Sequence, residues 1–140
     1  MGSAFTASAA LQLPVCLRGI RLGRPTDLLV DVVAWQALGF VVLCGDEAVR
    51  FLPYAACEPT AEHLGVDSAL MLLEDDDFYR RKGVSFRSLL GGDVGDRGIL
   101  RDIVLGPRGE VAELLVERDG EFGSVSSIGA TVIPTRAPAA

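Results

Sequence analysis

The run LVDVV at residues 29–33 returns as LRDIV at residues 100–104, and this repetition predicts that the chain contains a duplicated unit. In each copy a second apolar run follows, LGFVVL at 38–43 and VAELLV at 111–116. The runs are short, rich in β-branched residues and separated by Gly, Pro and Asp, which is typical of strands rather than helices. Because self-similarity at a fixed spacing indicates a structural repeat, the chain is predicted to hold two copies of one β-rich unit.

The connections between these runs predict hairpins. In the second copy, GPRGE at 106–110 is predicted to turn the chain, with Pro107 fixing φ and Gly109 supplying a positive φ. The first copy has AWQA at 34–37 in place of this turn. Between the copies lie one more strand candidate, residues 69–73, and a highly charged linker. Many short strands with regular turn signals predict small barrels or sandwiches.

The order of these motifs resembles the PRC-barrel family, which is named after the photosynthetic reaction-centre H subunit and also includes the C-terminal domain of ribosome-maturation factors. The motifs that carry the resemblance are LGR at 22–24, Asp31, LGFVV at 38–42, RFLPYAA at 50–56 and GDRGILRDIVLGPRGEV at 95–111. The resemblance spans most of residues 13–133. It implies one small β-barrel per unit, a role in protein–protein contact and assembly, and no catalytic residues.

The predicted fold is therefore all-β, with two small PRC-type β-barrels in tandem, packed together and joined by a short charged linker. We place repeat one at residues 13–74 and repeat two at residues 83–134. Residues 1–12 and 135–140 are predicted to be flexible termini. A single barrel of this size buries little surface, so the two repeats are expected to stabilise each other.

Composition limits the possible partners. The formal net charge is −6, so the average field repels polyanions and binding to nucleic acid is not expected. The most apolar stretch, residues 30–44, is interrupted by Asp31 and Gln36 and is shorter than a membrane span, so membrane insertion is not expected. Three cysteines without CxxC spacing indicate reduced thiols and a cytoplasmic location. The high apolar content predicts burial inside the chain or against another subunit.

Comparison of the two copies divides their strand residues into a shared face and an unshared face. The shared positions are Leu29, Asp31 and Val33 in repeat one and Leu100, Asp102 and Val104 in repeat two. We assign the shared face to the barrel interior or its rim. Because a carboxylate between apolar residues needs donors, Asp31 and Asp102 are predicted to be structural and to accept backbone N–H groups.

The unshared face is apolar only in repeat one, and it is the candidate interaction surface. Repeat two has Arg101, Glu113 and Glu117 at three of the matching positions. An apolar outer face indicates that something covers it, whether repeat two, the inter-repeat segment, a second subunit or an external partner. The predicted surface consists of Val30, Val32, Phe40, Val42 and Cys44, with Trp35 at the adjoining hairpin.

The sequence offers no convincing constellation for catalysis, a cofactor or a metal. His63 is the single histidine and is predicted to lie in a turn, and no nucleophile motif accompanies it. The glycine-rich residues 91–98 precede a strand rather than a helix, so they do not predict a phosphate loop. The acidic run at 74–77 is followed directly by the basic residues 80–82, which favours a solvated linker.

These observations predict a non-enzymatic protein-interaction or assembly module, an adaptor or scaffold, whose partner is a protein or a second copy of itself in a homodimer. The alternative is an accessory factor in ribosome maturation or RNA processing, which rests on the family resemblance alone.

Overall fold

The structure is a computed structural model that describes residues 5–133. Strands hold 48% of the residues and helices 16%, so the predicted β-rich class is confirmed. The strands, in chain order, are β1 (Phe5–Thr6), β2 (Val15–Leu17), β3 (Ile20–Asp31), β4 (Gln36–Cys44), β5 (Val49–Pro53), β6 (Glu58–Pro59), β7 (Leu64–Gly65), β8 (Val84–Ser85), β9 (Ile99–Leu105), β10 (Val111–Arg118) and β11 (Glu121–Ser126). The short helices of the described chain are α1 (Ala7–Ala10), α2 (Asp77–Lys82) and α3 (Phe86–Leu89), with 3₁₀ turns at Tyr54–Ala56 and Ala69–Met71.

The strands form two sheets. The smaller sheet has the order β1-β9-β10-β11, and the larger has the order β5-β4-β3-β2-β7-β6, with β8 pairing the side of β3. Every pairing is antiparallel except that of β2 with β7. Over the described residues neither sheet closes on itself as a barrel. No helix in this part of the chain is long and apolar enough to cross a bilayer.

The two repeats share one hairpin geometry. In repeat one Leu28 pairs with Phe40, and in repeat two Ile103 pairs with Leu114. Each β3–β4 or β9–β10 ladder has two bulges, one at each side of this pair. A β-bulge is a specific structural feature of a strand. Because the bulges recur at the same two places in both ladders, they show which residues of the two repeats correspond. Leu28 therefore corresponds to Ile103, and Phe40 corresponds to Leu114.

The segment that precedes the long strands of each repeat crosses to the other repeat. β1 pairs with β9, and β8 pairs with β3. Each of these strands leads into a one-turn helix whose N-cap hydroxyl, from Thr6 or Ser85, accepts an N–H of that helix. The second residue of each helix donates its backbone N–H to a carboxylate of the opposite repeat. Ser8 donates to Asp102, and Arg87 donates to Asp27. The two repeats are therefore interlocked by reciprocal arms.

The hairpin turns meet across an approximate two-fold axis. Ala37 N donates to Gly109 O at 2.7 Å, and Val111 N donates to Trp35 O at 2.8 Å, on either side of a bridge between Gln36 and Glu110. Ala37 and Val111 occupy the same position in their own hairpins. The two bonds are therefore one contact made twice, and they join the repeats into a single unit.

One hydrophobic core runs between the repeats. Its members include residues with no exposed surface from both, among them Phe40, Leu52, Leu105 and Leu114. Full burial of such a side chain contributes about 1.5–3 kcal/mol to stability. Because both repeats form this core, the contribution depends on both being present.

The expected flexible lead over residues 1–12 is wrong for residues 5–11. Phe5 and Thr6 pair with β9, and Ala7 and Ala10 have no exposed surface. The physical reason is that this segment is the arm that covers repeat two, so small apolar residues there are packed rather than free. Residues 1–4 and 134–140 lie outside the described residues, and the prediction for residues 135–140 falls there.

The inter-repeat segment differs from its prediction. The strand expected at 69–73 is instead a 3₁₀ turn followed by a single paired residue, Leu73. Leu73 exchanges two hydrogen bonds with Phe51 on the outer edge of β5, at 2.8 and 2.7 Å. The charged linker forms α2, in which Asp77 lies in the first turn and Arg80, Arg81 and Lys82 in the last, which complements the helix dipole.

Candidate functional site

The predicted interaction surface is the interior of the molecule. Val30, Phe40 and Val42 have no exposed surface, Trp35 and Cys44 are 6% and 7% exposed, and all five belong to the shared core. Val32 is half-buried and packs against the same core. The Trp35 indole N–H donates to the Ala130 carbonyl of repeat two at 3.2 Å. Of the covers that the sequence left open, repeat two is therefore the one that occupies this face.

The error in that prediction is one of register. The matching of Phe40 to Glu113 is shifted by one residue from the pairing in the structure, where Phe40 corresponds to Leu114. A shift of one residue exchanges the two faces of a strand. Val42 then corresponds to Val116, which is also buried. The apolar face is therefore common to both repeats.

The sequence comparison of β3 with β9 also differs from the alignment in the structure. The shared run 29–33 ends in the turn of repeat one, where Val33 is 92% exposed rather than part of the interior. Val104 is half-buried and corresponds instead to Leu29. The similarity of LVDVV to LRDIV is therefore not a structural equivalence.

Asp31 and Asp102 both accept backbone N–H groups, but in different places. Asp31 Oδ1 accepts Val33 N at 3.0 Å and Ala34 N at 3.1 Å, which closes the turn after β3. Asp102 lies inside β9 and accepts Ile103 N at 2.9 Å and the arm amide of Ser8 at 3.1 Å. The residue equivalent to Asp102 is Asp27, which accepts the amide of Leu28 and an arm amide in the same way.

Gly109 has the positive φ that its turn was predicted to need, at 83°. A second constraint adds to this, because a Cβ at Gly109 would lie 2.8 Å from Gln36 Nε2 and 2.9 Å from Tyr54 Cδ1. Gly109 is therefore a close-contact point between the repeats, and sequence spacing alone gave no sign of that.

The two repeats differ on their outer faces. In repeat one the outer face consists of Leu29, Val41 and Phe51, which form their own small cluster. The Tyr79 ring of α2 stacks on Phe51 with the ring centroids 4.2 Å apart and the planes at 25°. Leu73 pairs with the same Phe51 along the outer edge of β5. The chain's own inter-repeat segment therefore covers the face and the edge of repeat one at Phe51, while Val49 of the same strand stays exposed.

The corresponding surface of repeat two, which we call the repeat-two face, consists of Val104, Leu115, Phe122 and Ser124. Leu115 pairs with Ser124 just as Val41 pairs with Phe51. Phe122 is 75% exposed, and β11 ends its sheet with no strand beyond it in the described part of the chain. This surface is an apolar patch beside an open strand edge, and both features are typical of interaction sites.

Acidic groups surround the repeat-two face. Between residues 99 and 126 the chain has six acidic residues and three arginines. Arg101 Nε pairs with Glu117 Oε1 at 2.7 Å, which neutralises one of the carboxylates. Glu113 and Glu121 are exposed on β10 and β11. The local electrostatics therefore favour a partner that carries positive charge.

A groove with a volume of about 870 Å³ lies between α1, the segment at 57–61 and Pro107. It contains the Cys57 thiol, and burial, with the nearby Glu58 carboxylate, raises the pKa of that thiol to about 12. A thiol with this pKa is protonated at neutral pH and is a poor nucleophile. Burial also raises the pKa of the neighbouring Tyr54 hydroxyl, which donates to Gly106 O at 3.3 Å.

The carboxylates of Asp75, Asp76 and Asp77 offer oxygen atoms that lie within 4.8 Å of one another. Asp76 is already paired with Arg80, at 2.5 Å, and Asp75 Oδ1 accepts the amide of Asp77. These contacts account for the acidic run as part of the first turn of α2, and we assign no ion to it.

Comparison with known proteins adds no assignment. No family model matches the chain, and no curated protein gives a significant match. The PRC-barrel resemblance therefore stays a prediction that rests on the motifs themselves.

Proposed function

We propose that this protein is a non-enzymatic interaction module, an adaptor or scaffold of the reducing cytoplasm, and that the repeat-two face receives its partner. The two units are in this proposal of the PRC type, paired as interlocked halves. One observation carries the proposal. The outer face and strand edge that repeat one covers with Leu73 and Tyr79 are open in the equivalent part of repeat two, over the residues that the structure describes.

The cover of repeat one suggests how the partner binds. Leu73 adds backbone hydrogen bonds to the edge of β5, and Tyr79 places an aromatic ring on the face beside it. An extended peptide that adds to β11 would use the same two contacts, since strand addition supplies affinity through the main chain and specificity through side-chain pockets. Phe122 and Leu115 would then contact the partner's apolar side chain.

The charge of the repeat-two face narrows the partner further. Because Glu121 lies at the start of the open-edged strand β11 and Glu113 is exposed on the neighbouring β10, a basic segment is attracted and an acidic one is repelled. The occupant we propose is therefore an extended segment of another protein that carries Lys or Arg on both sides of an aromatic or β-branched residue. A second copy of this chain presents an acidic edge and does not fit as well.

Selection of a displayed random-peptide library against the immobilised full-length protein tests this assignment. We expect enriched peptides to be basic, to contain an aromatic or β-branched residue, and to lose binding to Ser124→Pro and to Phe122→Ser. Phe51 N donates outward to Leu73, and Ser124 holds the equivalent position, so proline there removes an outward donor and leaves the β10–β11 ladder intact.

The matched control is Val33→Ser, which removes another highly exposed apolar side chain from the turn of repeat one. Peptides that bind equally to Ser124→Pro and Phe122→Ser would place the partner surface elsewhere. Ribosome-associated RNA as the ligand, with no peptide selected, would instead favour the maturation-factor alternative.

A further inference from the structure

Three arginines from two segments of the chain line one small polar pocket. The pocket has a volume of about 260 Å³ and lies where α1, β3 and α3 meet. Its charged lining, over the described residues, is entirely basic and consists of Arg21, Arg24 and Arg87, with Gln12 and the backbone of residues 11–14 completing the wall. A concentration of positive charge is unusual in a chain whose formal net charge is −6. We call this feature the arginine pocket.

Arg87 lies on the arm formed by β8 and α3, and two contacts with β3 hold it in position. Its Nε donates to Thr26 O at 2.5 Å, and its backbone N donates to Asp27 Oδ1 at 3.2 Å. The second oxygen of Asp27 accepts the Ser85 hydroxyl, so this carboxylate is engaged by the arm. Fixing Nε in this way orients the guanidinium and leaves its terminal N–H donors for another acceptor.

The arginines of the pocket are not explained by ion pairs. The arginines that pair with carboxylates in the described chain are Arg50, Arg80, Arg101 and Arg118. None of them lines the pocket. Like charges that converge on one cavity repel each other, and an anion between them removes that repulsion.

The fold does not require these arginines either. Arg24 pairs with Leu43, and the equivalent residue of repeat two, Ile99, pairs with Glu117. Arg87 corresponds to Ser8, because both donate their amide to the equivalent aspartate. The same backbone is therefore built in repeat two without basic side chains at these two positions, which indicates that the pocket serves a ligand.

We propose that the arginine pocket binds the phosphate group of a small phosphorylated molecule. Guanidinium groups present forked N–H donors that match a phosphate group, and charge-assisted bonds of this kind are the strongest in the usual protein inventory. The pocket is smaller than the roughly 300–1,000 Å³ that holds a drug-sized ligand, which suits one or two phosphate groups. A nucleic acid would have to approach the rest of an acidic surface.

Calorimetric titration of the full-length protein at constant ionic strength tests the proposal, with inorganic phosphate, pyrophosphate and glycerol 3-phosphate as separate probes. We expect saturable binding of at least one probe, weakened about tenfold by Arg24→Gln and further by the addition of Arg87→Gln. Circular dichroism checks that the variants are folded, and Arg21→Gln, at the third exposed arginine of the pocket, should also weaken binding. Binding of glycerol 3-phosphate in preference to inorganic phosphate would assign the site to a phosphorylated metabolite rather than to free phosphate.

Arg108→Gln is the matched control, since Arg108 is exposed in the β9–β10 turn and does not line the pocket. Loss of binding in this variant, or equal binding by Arg24→Gln and the wild type, would show a nonspecific ionic effect and overturn the proposal. So would the absence of saturable binding of every probe. Submicromolar binding of an RNA oligomer that depends on the same arginines, without phosphate binding, would replace the small ligand with nucleic acid. This proposal stands apart from the repeat-two face, and either can fail alone.

Discussion

The outer faces of the two repeats are built on the same strand pairing, but they differ in how far they are covered. In repeat one Phe51 lies under Tyr79 and pairs at its edge with Leu73, and it has no exposed surface. In repeat two the equivalent position is Ser124, and the aromatic residue of the strand, Phe122, lies open to solvent. Repeat two therefore has a serine in place of the buried Phe51 and an exposed phenylalanine in place of the exposed Val49, so this face is less covered than its counterpart in repeat one.

The inner faces show the opposite behaviour. Phe40 and Leu114 are both fully buried, as are Leu28 and Ile103. Conserving the inward face in both repeats and changing the outward one is what a paired architecture needs, because each repeat supplies half of a common core. The outer face is free to differ, and function is most simply sought there.

The largest effect that tests this comparison is a charge on the inner face. We expect Phe40→Glu and Leu114→Glu each to destabilise the protein by more than about 3–5 kcal/mol, since each removes a buried side chain and buries a carboxylate without a partner. Urea unfolding followed by circular dichroism measures this loss. Phe122→Glu is the control and should change stability by no more than about 0.5 kcal/mol. A folded, stable Phe40→Glu variant would return that residue to the surface.

The cover of repeat one should contribute less. Tyr79→Ala removes a half-buried ring and its stacking on Phe51, so we expect a loss of about 2 kcal/mol in the free energy of unfolding. Phe122→Ala, which removes the exposed ring of the repeat-two face, should have almost no effect on the stability of the isolated protein. Equal losses in the two variants, measured by thermal and urea unfolding, would mean that Phe122 is also covered.

A further difference between the repeats is expected to affect the stability of the protein at alkaline pH. Repeat one has Tyr54 and Cys57 where repeat two has Ser127 and Ala130, and both pairs are joined by the same backbone hydrogen bond. Burial raises the pKa of Cys57 from 9.0 to about 12, so the folded protein keeps this proton while the unfolded chain loses it. The stabilisation is complete below pH 9 and is lost as the pH rises toward 12.

We therefore expect the free energy of unfolding to fall by about 1 kcal/mol or more between pH 8 and pH 10. Cys57→Ala copies the residue of repeat two and should remove part of that fall, with the remainder due to Tyr54. A pH profile that is the same with and without Cys57 would mean that the thiol is accessible to solvent in the folded protein. Urea unfolding at fixed ionic strength across this range makes the measurement.

The sequence was sufficient for some of this structure. Short runs rich in β-branched residues predicted the β-rich class and the β9–β10 hairpin, because alternation and turn chemistry are local signals. The positive φ of Gly109 followed from its turn for the same reason.

Register was not available from the sequence. LVDVV at 29–33 looks most like LRDIV at 100–104, but Val32 and Val33 lie in a turn, and the structural counterpart of Asp102 is Asp27. Bulges in both hairpins shift the alternation within a strand, so identical letters fall on different faces. One wrong step in register turned the core into a predicted partner surface.

The sequence did not predict the two proposed surfaces, for a related reason. The arms and the arginine pocket join residues far apart in the chain, such as Arg24 with Arg87 and Ser8 with Asp102. No local pattern announces such contacts. The one available signal for the repeat-two face was Phe122, an aromatic residue in a strand otherwise made of small and polar residues.

Amide hydrogen exchange of the isolated full-length protein shows whether the β11 edge is open, because it compares the edges of β5 and β11 in one experiment. We predict that the Phe51 amide, which donates to Leu73, is strongly protected, and that the outward amide at Ser124 exchanges rapidly while β10 beside it stays protected. A peptide selected on the repeat-two face should then slow exchange in β11 and leave β5 unchanged. Protection of Ser124 equal to that of Phe51 in the protein alone would contradict the account, since the edge would already be covered.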